Sequence, residues 1–440
     1  MTTGAGMTRA GMTKSGPARA RGVRTAVLSA GAAGALVLSA CAGSAGSGGA
    51  GGGAGGNGYE YGADAAAVEE ALTDLEPATV TYQIPATSLD SPQAPMGVRY
   101  KEAVEEASGG KLTVELAFNQ SIAPYAELHD ALADGRVDMA FTLPTYEPDR
   151  FPAVNAVNDL LAGQAASPFE GDLLANLLAA DLAWQSPEVL AEYEELGLTP
   201  FTPVSATSAY HSVCTEPATE VEDWRGLQVR VGSQPQNELV GELGSAPVSI
   251  AGVEAYEALQ RGTVDCTLAV LSDVSQGGFF EVAQNLGYPT TTQFPRVSGA
   301  ILQGTGVESL PLAYRQILFD SFHAAFQGGM ETSIGSQATA IAEAGERGVG
   351  VEPLSEELQT RIAEANEERM QEVADSGTLG EDVRTRVDES AAFWSEQLEE
   401  LGYTDRGGFA EFHEWYDPET DYTPLSDVLF ERVMLEHRPA

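Results

Sequence analysis

The sequence predicts an α/β protein of two lobes, joined by hinge strands and by a long helix that spans both lobes. Three observations carry this prediction. Strand and helix patterns alternate from residue 78 onwards, a second alternating unit occupies 206–296, and a helix-rich segment follows residue 297. A chain that crosses to a second lobe and returns is typical of a hinged receptor with its ligand in the cleft.

The first part of lobe I is assigned to residues 78–205. The predicted elements are a strand at 78–86, a helix at about 94–107, a strand at 112–118, a helix at 125–133, a strand at 137–142 and a mostly helical stretch at 168–197. This strand–helix–strand alternation predicts a parallel sheet, because parallel neighbours need a crossover helix between them.

Lobe II is assigned to residues 206–296, and residues 297–404 are predicted to return to lobe I. The predicted elements are β-like segments at 200–214, 226–231, 247–250, 264–271, 297–302 and 349–351, and helices at 235–243, 253–259, 355–376 and 381–401. The long helical segment after Leu310 is expected to span both lobes, with Gly328-Gly329 as a point where it bends. Residues 405–440 form a C-terminal extension, expected to be an amphipathic surface element.

The N-terminal region predicts export. Residues 1–25 carry basic side chains and no acid, an apolar stretch covers 26–38, and Leu-Ser-Ala-Cys ends at Cys41. Basic residues, a short apolar core and small residues define a signal peptide, here 1–40, and the last four residues resemble a bacterial lipobox. We therefore expect lipidation of Cys41 and attachment to the outer face of the cell membrane by lipid only. An ordinary signal peptide with a chance cysteine is the alternative.

Residues 41–77 are predicted to be a flexible linker, because Gly, Ser and Ala dominate its first half. The whole chain has 65 acidic and 23 basic residues and a net charge of −42. Such acidity excludes binding to nucleic-acid phosphates, which requires clustered Lys and Arg, and it opposes adsorption to anionic lipid. We expect no nucleic-acid partner.

Motifs for catalysis are not apparent. The five histidines form neither an H-E-x-x-H motif nor a Cys/His zinc spacing, and the body has no G-x-S-x-G or phosphate-binding glycine loop. We therefore expect no enzyme activity, no metal and no cofactor. His211 beside Tyr210 either lines the cleft or is a satisfied structural group.

Residues 223–265 carry a family resemblance in three ordered segments. They contain Asp-Trp-Arg-Gly-Leu-Gln-Val-Arg-Val from Asp223, Leu-Gly-Ser-Ala-Pro-Val from Leu243, and Glu-Ala-Tyr-Glu-Ala-Leu-Gln-Arg-Gly-Thr-Val-Asp from Glu254. This closely resembles the C4-dicarboxylate-binding (DctP-type) solute-binding proteins of TRAP transporters. The resemblance implies a two-lobe periplasmic-binding-protein-like fold and an organic-acid ligand. It also implies TRAP permease membrane subunits as partners; presentation of the ligand to a sensory receptor kinase is the alternative.

Arg230 is the first candidate ligand-binding residue. It lies in an apolar strand, and a guanidinium offers paired donors in the geometry of a carboxylate. A structural salt bridge to one of the many acids is the alternative from the residue alone. The family resemblance implies instead that Arg230 clamps the ligand carboxylate in the cleft.

Five further residues are candidate ligand-binding residues, and the three tyrosines and Ala269 among them come from the rough alignment with the family. They are Tyr125, Thr142, Tyr146, Tyr210 and Ala269. Several tyrosines around one arginine favour a monocarboxylate with an apolar or aromatic body, although a dicarboxylate is not excluded and each tyrosine could belong to the core.

Cys214 and Cys266 remain after lipidation of Cys41 and are expected on neighbouring strands of lobe II. An even pair outside the membrane is compatible with a disulfide. Two buried free thiols are the alternative.

Overall fold

The structure is a computed structural model that describes residues 58–440, and the predicted signal peptide and the first half of the predicted linker lie outside these residues. Its strands are β1 (Ala78–Ile84), β2 (Leu112–Phe118), β3 (Met139–Thr142), β4 (Thr199–Ser205), β5 (Tyr210–Cys214), β6 (Gln228–Val231), β7 (Ala246–Ser249), β8 (Cys266–Val270), β9 (Asn285–Tyr288), β10 (Gly299–Gln303) and β11 (Gly350–Pro353).

Seventeen α-helices accompany these strands within residues 58–440. They are α1 (Ala65–Leu72), α2 (Pro95–Ala107), α3 (Tyr125–Ala133), α4 (Pro152–Leu160), α5 (Glu170–Trp184), α6 (Pro187–Glu194), α7 (Gln234–Glu242), α8 (Ala255–Gln260), α9 (Leu271–Gly277), α10 (Thr305–Glu308), α11 (Leu312–Asp320), α12 (Phe322–Met330), α13 (Ser336–Arg347), α14 (Glu356–Ser376), α15 (Val383–Leu401), α16 (Phe412–Trp415) and α17 (Thr423–Leu429).

Each lobe is built on one mixed sheet. The lobe I sheet has the order β2-β1-β3-β10-β4, and the lobe II sheet has the order β11-β9-β5-β8-β6-β7. The predicted parallel arrangement holds for β1 with β2 and β3, but β10 runs antiparallel to both β3 and β4. The sheet of lobe I is therefore not purely parallel, because the returning chain enters it from the opposite direction.

Local sequence explains where the first elements begin and end. Pro95 occupies the first turn of α2, where its missing N–H group costs no helical hydrogen bond. Gly109 and Gly110 follow the helix with positive φ angles of 59° and 78°, a conformation that glycine adopts without steric penalty. The chain then reverses directly into β2, which pairs with β1 along its whole length.

The predicted spanning helix is present as α12 and α13, joined without a break by a π-helical turn at Glu331–Gly335. The first half packs on α2 of lobe I and the second half packs on α9 of lobe II. A Cβ atom at Gly328 would lie 2.2 Å from the backbone oxygen of Pro95, so Gly328 is required for the close approach of α12 to α2. The spanning helix departs from regular α-helical geometry at the π turn Glu331–Gly335, which follows α12.

Both ends of the described chain differ from the sequence prediction. The predicted linker becomes ordered at its end, where α1 forms and the Tyr59 hydroxyl donates to Asp320 at 2.8 Å. The C-terminal extension is not a surface element. Phe409, Phe412 and residues of α17 are buried in the core, because their aromatic and apolar side chains pack against α12 and lobe II.

Candidate functional site

Arg230 lies in β6 between two parallel neighbours, β7 and β8, and its side chain is 4% exposed. Its Nε donates to the backbone oxygen of Ile250 at 3.0 Å and Nη1 donates to the backbone oxygen of Leu268 at 3.2 Å. Nη2 donates to the Tyr146 hydroxyl at 3.4 Å. Because a guanidinium has five N–H groups, one on Nη1 and one on Nη2 remain for a ligand.

No carboxylate of residues 58–440 forms an ion pair with Arg230. Neutral backbone oxygens fix the orientation of the guanidinium without cancelling its charge. This arrangement differs from a structural salt bridge, in which a carboxylate would occupy the paired N–H groups. The guanidinium is therefore suited to receive an anion.

Lobe I brings two aromatic side chains to this arginine. Tyr146 ends the short 3₁₀ turn that follows β3, and Tyr125 begins α3. Their ring centroids lie 6.5 Å apart with the planes at 82°, an edge-to-face pair. Tyr210 at the start of β5 is buried on the lobe II side. Since Tyr146 contacts Arg230, the cleft is closed across its two lobes.

A second contact across the cleft involves Asp273, at the start of α9. Gln93 of lobe I donates from Nε2 to Asp273 Oδ1 at 2.9 Å and to the Ser272 hydroxyl at 3.3 Å. Gln276 in turn donates to Gln93 Oε1 at 3.1 Å. The Gln93 amide is thus fully engaged by α9, and its donation to Asp273 leaves Oδ2 of that carboxylate without a partner among the described residues.

The ionisable groups of the cleft influence each other. Burial raises the pKa of Asp273 above its ordinary value, and the opposing charge of Arg230 together with the hydrogen bond from Gln93 offsets part of that rise. Burial also raises the pKa of the Tyr125 and Tyr210 phenols, and the nearby Asp273 charge raises both further. These two tyrosines are therefore neutral hydrogen-bonding groups at neutral pH.

The structure brings together four of the six predicted ligand-binding residues: Tyr125, Tyr146, Tyr210 and Arg230. The other two lie inside the sheets. Thr142 in β3 is fully buried and its hydroxyl donates to the backbone oxygen of Ala300, and Ala269 in β8 pairs with His211 in β5. Asp273 and Gln93 are cleft residues that the sequence reasoning missed.

Cys214 and Cys266 face each other directly on the antiparallel strands β5 and β8. Their sulfur atoms are 2.09 Å apart and the residues are separated by 52 positions along the chain. The pair joins two central strands of the lobe II sheet. A disulfide between Cys214 and Cys266 stays a prediction, and counting free thiols by mass spectrometry is its test.

A buried ion pair connects the segments through which the chain passes between the lobes. Arg296 Nη2 donates to Asp172 Oδ1 at 2.5 Å, and both side chains are fully buried. Arg296 also donates to Gln293 and to the backbone oxygens of Ala206 and Thr207. Residues 206–209 lead from β4 into β5, and 289–298 lead from β9 back to β10. We name Asp172, Arg296 and the groups of Gln293, Ala206 and Thr207 that Arg296 contacts the hinge cluster.

The hinge cluster also reaches the spanning helix. Gln337 of α13 donates to Asp172 Oδ2 at 2.5 Å, and the backbone N–H of Ala209 donates to the same oxygen at 3.2 Å. Thr207 has a φ of 58°, a left-handed conformation that is strained for a β-branched residue. Its carbonyl accepts from Arg296 and Asn176, which hold the strained turn in place.

A separate groove lies between α7 and α14. Four glutamates contribute to its lining: Glu238, Glu242, Glu368 and Glu372. Burial and the neighbouring glutamates raise the pKa of Glu242. The acidic lining repels carboxylates, so this groove does not suit an organic acid.

No metal-binding group of three or more His, Cys, Asp or Glu side chains occurs in the described part of the chain. Across residues 58–440 we also find no helix with the length and apolar character needed to cross a bilayer.

The fold and cleft define a two-lobe solute-binding protein. A family model for DctP, the bacterial extracellular solute-binding protein family 7, matches residues 86–376. The chain therefore belongs to this family, and it is a substrate-binding protein and not an enzyme. The family predicted from residues 223–265 is confirmed, as is the two-lobe α/β fold.

Solved structures share this fold at low sequence identity. The sugar acid binding protein DctPAm from Advenella mimigardefordensis, in complex with galactonate, has 19% identity and a TM-score of 0.61, covering 73% of this chain and 100% of that one. A TRAP solute binding protein from Rhodoferax ferrireducens, in complex with benzoate, has 16% identity and a TM-score of 0.62, covering 73% and 99%. A solute-binding protein from Sulfitobacter is 22% identical over 62% of this chain and 78% of its own length.

Proposed function

We propose that the protein captures an organic acid in the cleft between its lobes, with Arg230 as the clamp on the ligand carboxylate. The observation that carries this proposal is the environment of Arg230. The guanidinium is buried, oriented by two backbone oxygens and free of any ion pair within the described chain, and it keeps an N–H group on each terminal nitrogen. A carboxylate accepts such a pair of N–H groups in a bidentate arrangement.

A monocarboxylate with an apolar or aromatic body is the favoured ligand. Tyr146 contacts the guanidinium, Tyr125 packs edge-to-face on Tyr146, and the charge of Arg230 acts on the buried Tyr210 phenol. Their rings offer apolar surface together with neutral hydroxyl groups. Two structural neighbours hold galactonate and benzoate, and each of these ligands has one carboxylate. A second carboxylate on the ligand would meet Asp273.

Capture couples to closure of the lobes. Tyr146 and Gln93 of lobe I contact Arg230 and Asp273 of lobe II, so the complete site exists only when the lobes meet. A ligand that contacts both lobes shifts the population towards the closed form, by as much as it prefers that form. The closed form then delivers its ligand to the membrane subunits of a TRAP permease.

Anchorage by a lipid on Cys41 completes the proposal, because it would hold the protein at the outer face of the membrane close to such a permease. Labelling of growing cells with a radioactive fatty acid should mark the wild-type protein. The Cys41→Ser variant should remain unlabelled, and equal labelling of both would refute the lipid anchor.

The test of carboxylate capture is a thermal-shift screen of the purified protein against carboxylates. Ligand at 100 times its dissociation constant stabilises the folded protein by about 2.7 kcal/mol. Arg230→Lys should abolish the shift, because an ammonium cannot reproduce the planar paired donors. Arg225→Lys is the matched control: Arg225 lies shortly before β6, is exposed and pairs with Glu222. A folded wild type that no carboxylate stabilises would refute the clamp.

A further inference from the structure

The Arg230 cleft holds a negative charge as well as a positive one. A Cβ atom placed on Gly252 would lie 3.6 Å from Arg230 Nη2 and 3.8 Å from Asp273 Oδ2. Both charged atoms therefore border the space beside Gly252, and no other atom beyond the adjacent residues lies within 4 Å of that Cβ position. They do not form an ion pair within the described chain, so each keeps hydrogen-bonding capacity for a third group placed between them.

The orientation of Asp273 supports a role towards a ligand. Gln93 donates to Oδ1, while Oδ2 is the oxygen that faces the space beside Gly252. Gln93 is itself held by Gln276 and by the Ser272 hydroxyl. The carboxylate is thus fixed by one oxygen and offers the other, as Arg230 is fixed by backbone oxygens and offers its terminal nitrogens.

Charge balance then selects the kind of ligand. With the Asp273 carboxylate ionised, Arg230 and Asp273 together are neutral, so a simple carboxylate would leave this buried site with a net negative charge. Removing an uncompensated charge from water is costly. A ligand that carries both a carboxylate and a cation keeps the site neutral and satisfies both side chains.

The aromatic side chains fit the same ligand. Tyr125 and Tyr210 lie close enough to Asp273 for its charge to act on their phenols. Tyrosine rings attract cations through their faces, so these side chains suit an ammonium group next to a carboxylate.

We propose that the ligand is a zwitterion, whose single carboxylate lies on Arg230 and whose ammonium or amidinium group lies on Asp273. This inference rests on the proposed function, since it requires the carboxylate clamp, and it narrows the ligand class within it. Asp273 acts as the second charged ligand-binding residue.

Matched sets of small molecules test the proposal. Each set has one carbon skeleton as a zwitterion, as the acid without the amine, and as the amine without the acid. The sets are phenylalanine, hydrocinnamate and phenethylamine; leucine, isocaproate and isoamylamine; and proline, cyclopentanecarboxylate and pyrrolidine. Thermal shift identifies binding, and calorimetry gives the dissociation constants. We expect at least one zwitterion to bind at least about 10-fold more tightly than its matched acid and amine.

Asp273→Asn keeps the size of the side chain and an oxygen for Gln93, but it removes the charge. In this variant the zwitterion should lose about 10- to 100-fold in affinity while the matched acid does not weaken. Glu281→Gln is the control, because Glu281 is exposed on the same lobe and its carboxylate contacts Tyr256 and Arg347. This control variant should leave the ratio between the affinities for the zwitterion and for the matched acid unchanged.

Three results would overturn the zwitterion proposal: no zwitterion of the panel that binds more tightly than its matched acid, acids that bind while no zwitterion does, or an affinity ratio that Asp273→Asn leaves unchanged. Each leaves carboxylate capture by Arg230 standing. A folded wild type that binds neither the acids nor the zwitterions of the panel counts against both proposals.

Discussion

The hinge cluster makes a quantitative prediction for Arg296→Met. The substitution removes a cation that donates to Asp172, to Gln293 and to two backbone oxygens of residues 206–207, and it leaves the fully buried Asp172 carboxylate without its counter-charge. Removing one partner of a buried ion pair costs about 3–5 kcal/mol in the free energy of unfolding. Since domains are commonly stable by about 5–15 kcal/mol, this loss is a large share of the total.

The assay is urea unfolding followed by far-ultraviolet circular dichroism at neutral pH. Arg261→Met is the matched control, because Arg261 pairs with Glu257 at 2.8 Å on the surface, where both side chains are at least 65% exposed. An exposed pair contributes about 0–1 kcal/mol. The double variant Arg296→Met/Asp172→Leu should be more stable than Arg296→Met alone, since it leaves no buried charge.

The pH dependence of the Arg296→Met deficit follows from Asp172. Burial raises the pKa of Asp172 in the folded protein, and Arg296 lowers it. Without Arg296 the folded-state pKa rises further above its unfolded value, so folding favours proton uptake. The deficit is full above the folded-state pKa and shrinks as the pH falls through it, so it should be smaller at pH 5 than at pH 7. A deficit below about 1 kcal/mol, or a double variant no better than the single one, would refute this account of the hinge cluster.

Three further predictions concern lobe II and the C-terminal extension. Mass spectrometry without reductant should find Cys214 and Cys266 unalkylated, and two alkylated cysteines would contradict the disulfide. Reduction of the disulfide should lower the free energy of unfolding by about 4 kcal/mol. Burial lowers the pKa of His211 to about 3, so the stability it contributes is present above pH 6.5 and is lost as the pH falls. Between pH 7.5 and pH 5 this loss should be about 2 kcal/mol in the free energy of unfolding, measured with urea. The His211→Gln variant should lack this loss, and equal pH slopes for the two proteins would contradict the prediction. Phe409→Ala should lower the free energy of unfolding by about 3 kcal/mol in the same assay. The Phe409 ring stacks on Tyr288 with a centroid distance of 4.3 Å and lies 4.8 Å from the His211 ring. A loss below about 1 kcal/mol would show that the extension is not part of the core.

The sequence predicted the elements that depend on local patterns. Alternating strands and helices that end at glycine depend on residues close together in the chain. For this reason β2 and α3 begin and end where their patterns indicate. Arg230 could be selected as a candidate because a single charge in an apolar strand, within a family motif, is unusual. The antiparallel entry of β10 could not be found in this way, because strand direction depends on where the returning chain enters the sheet.

The missed cleft and hinge residues share a physical reason. Asp273 is one of 65 acidic residues, and nothing nearby in the chain marks it as facing Arg230. Gln93 meets α9 only because the lobes close. Asp172 and Arg296 are 124 positions apart, and their pairing requires the whole fold. The buried position of Phe409 likewise depends on aromatic contacts between distant segments.

The two ends of the described chain meet on one lobe, which affects how the protein can be attached to a surface. Arg438 donates to Asp320 of α11 and to the backbone oxygen of Tyr59, while the Tyr59 hydroxyl donates to the same Asp320 carboxylate. A sensor chip or optical bead that is linked through either end of residues 58–440 is therefore attached to lobe I. Lobe II is then the part that swings, so a fluorophore on lobe II reports opening directly against the fixed surface.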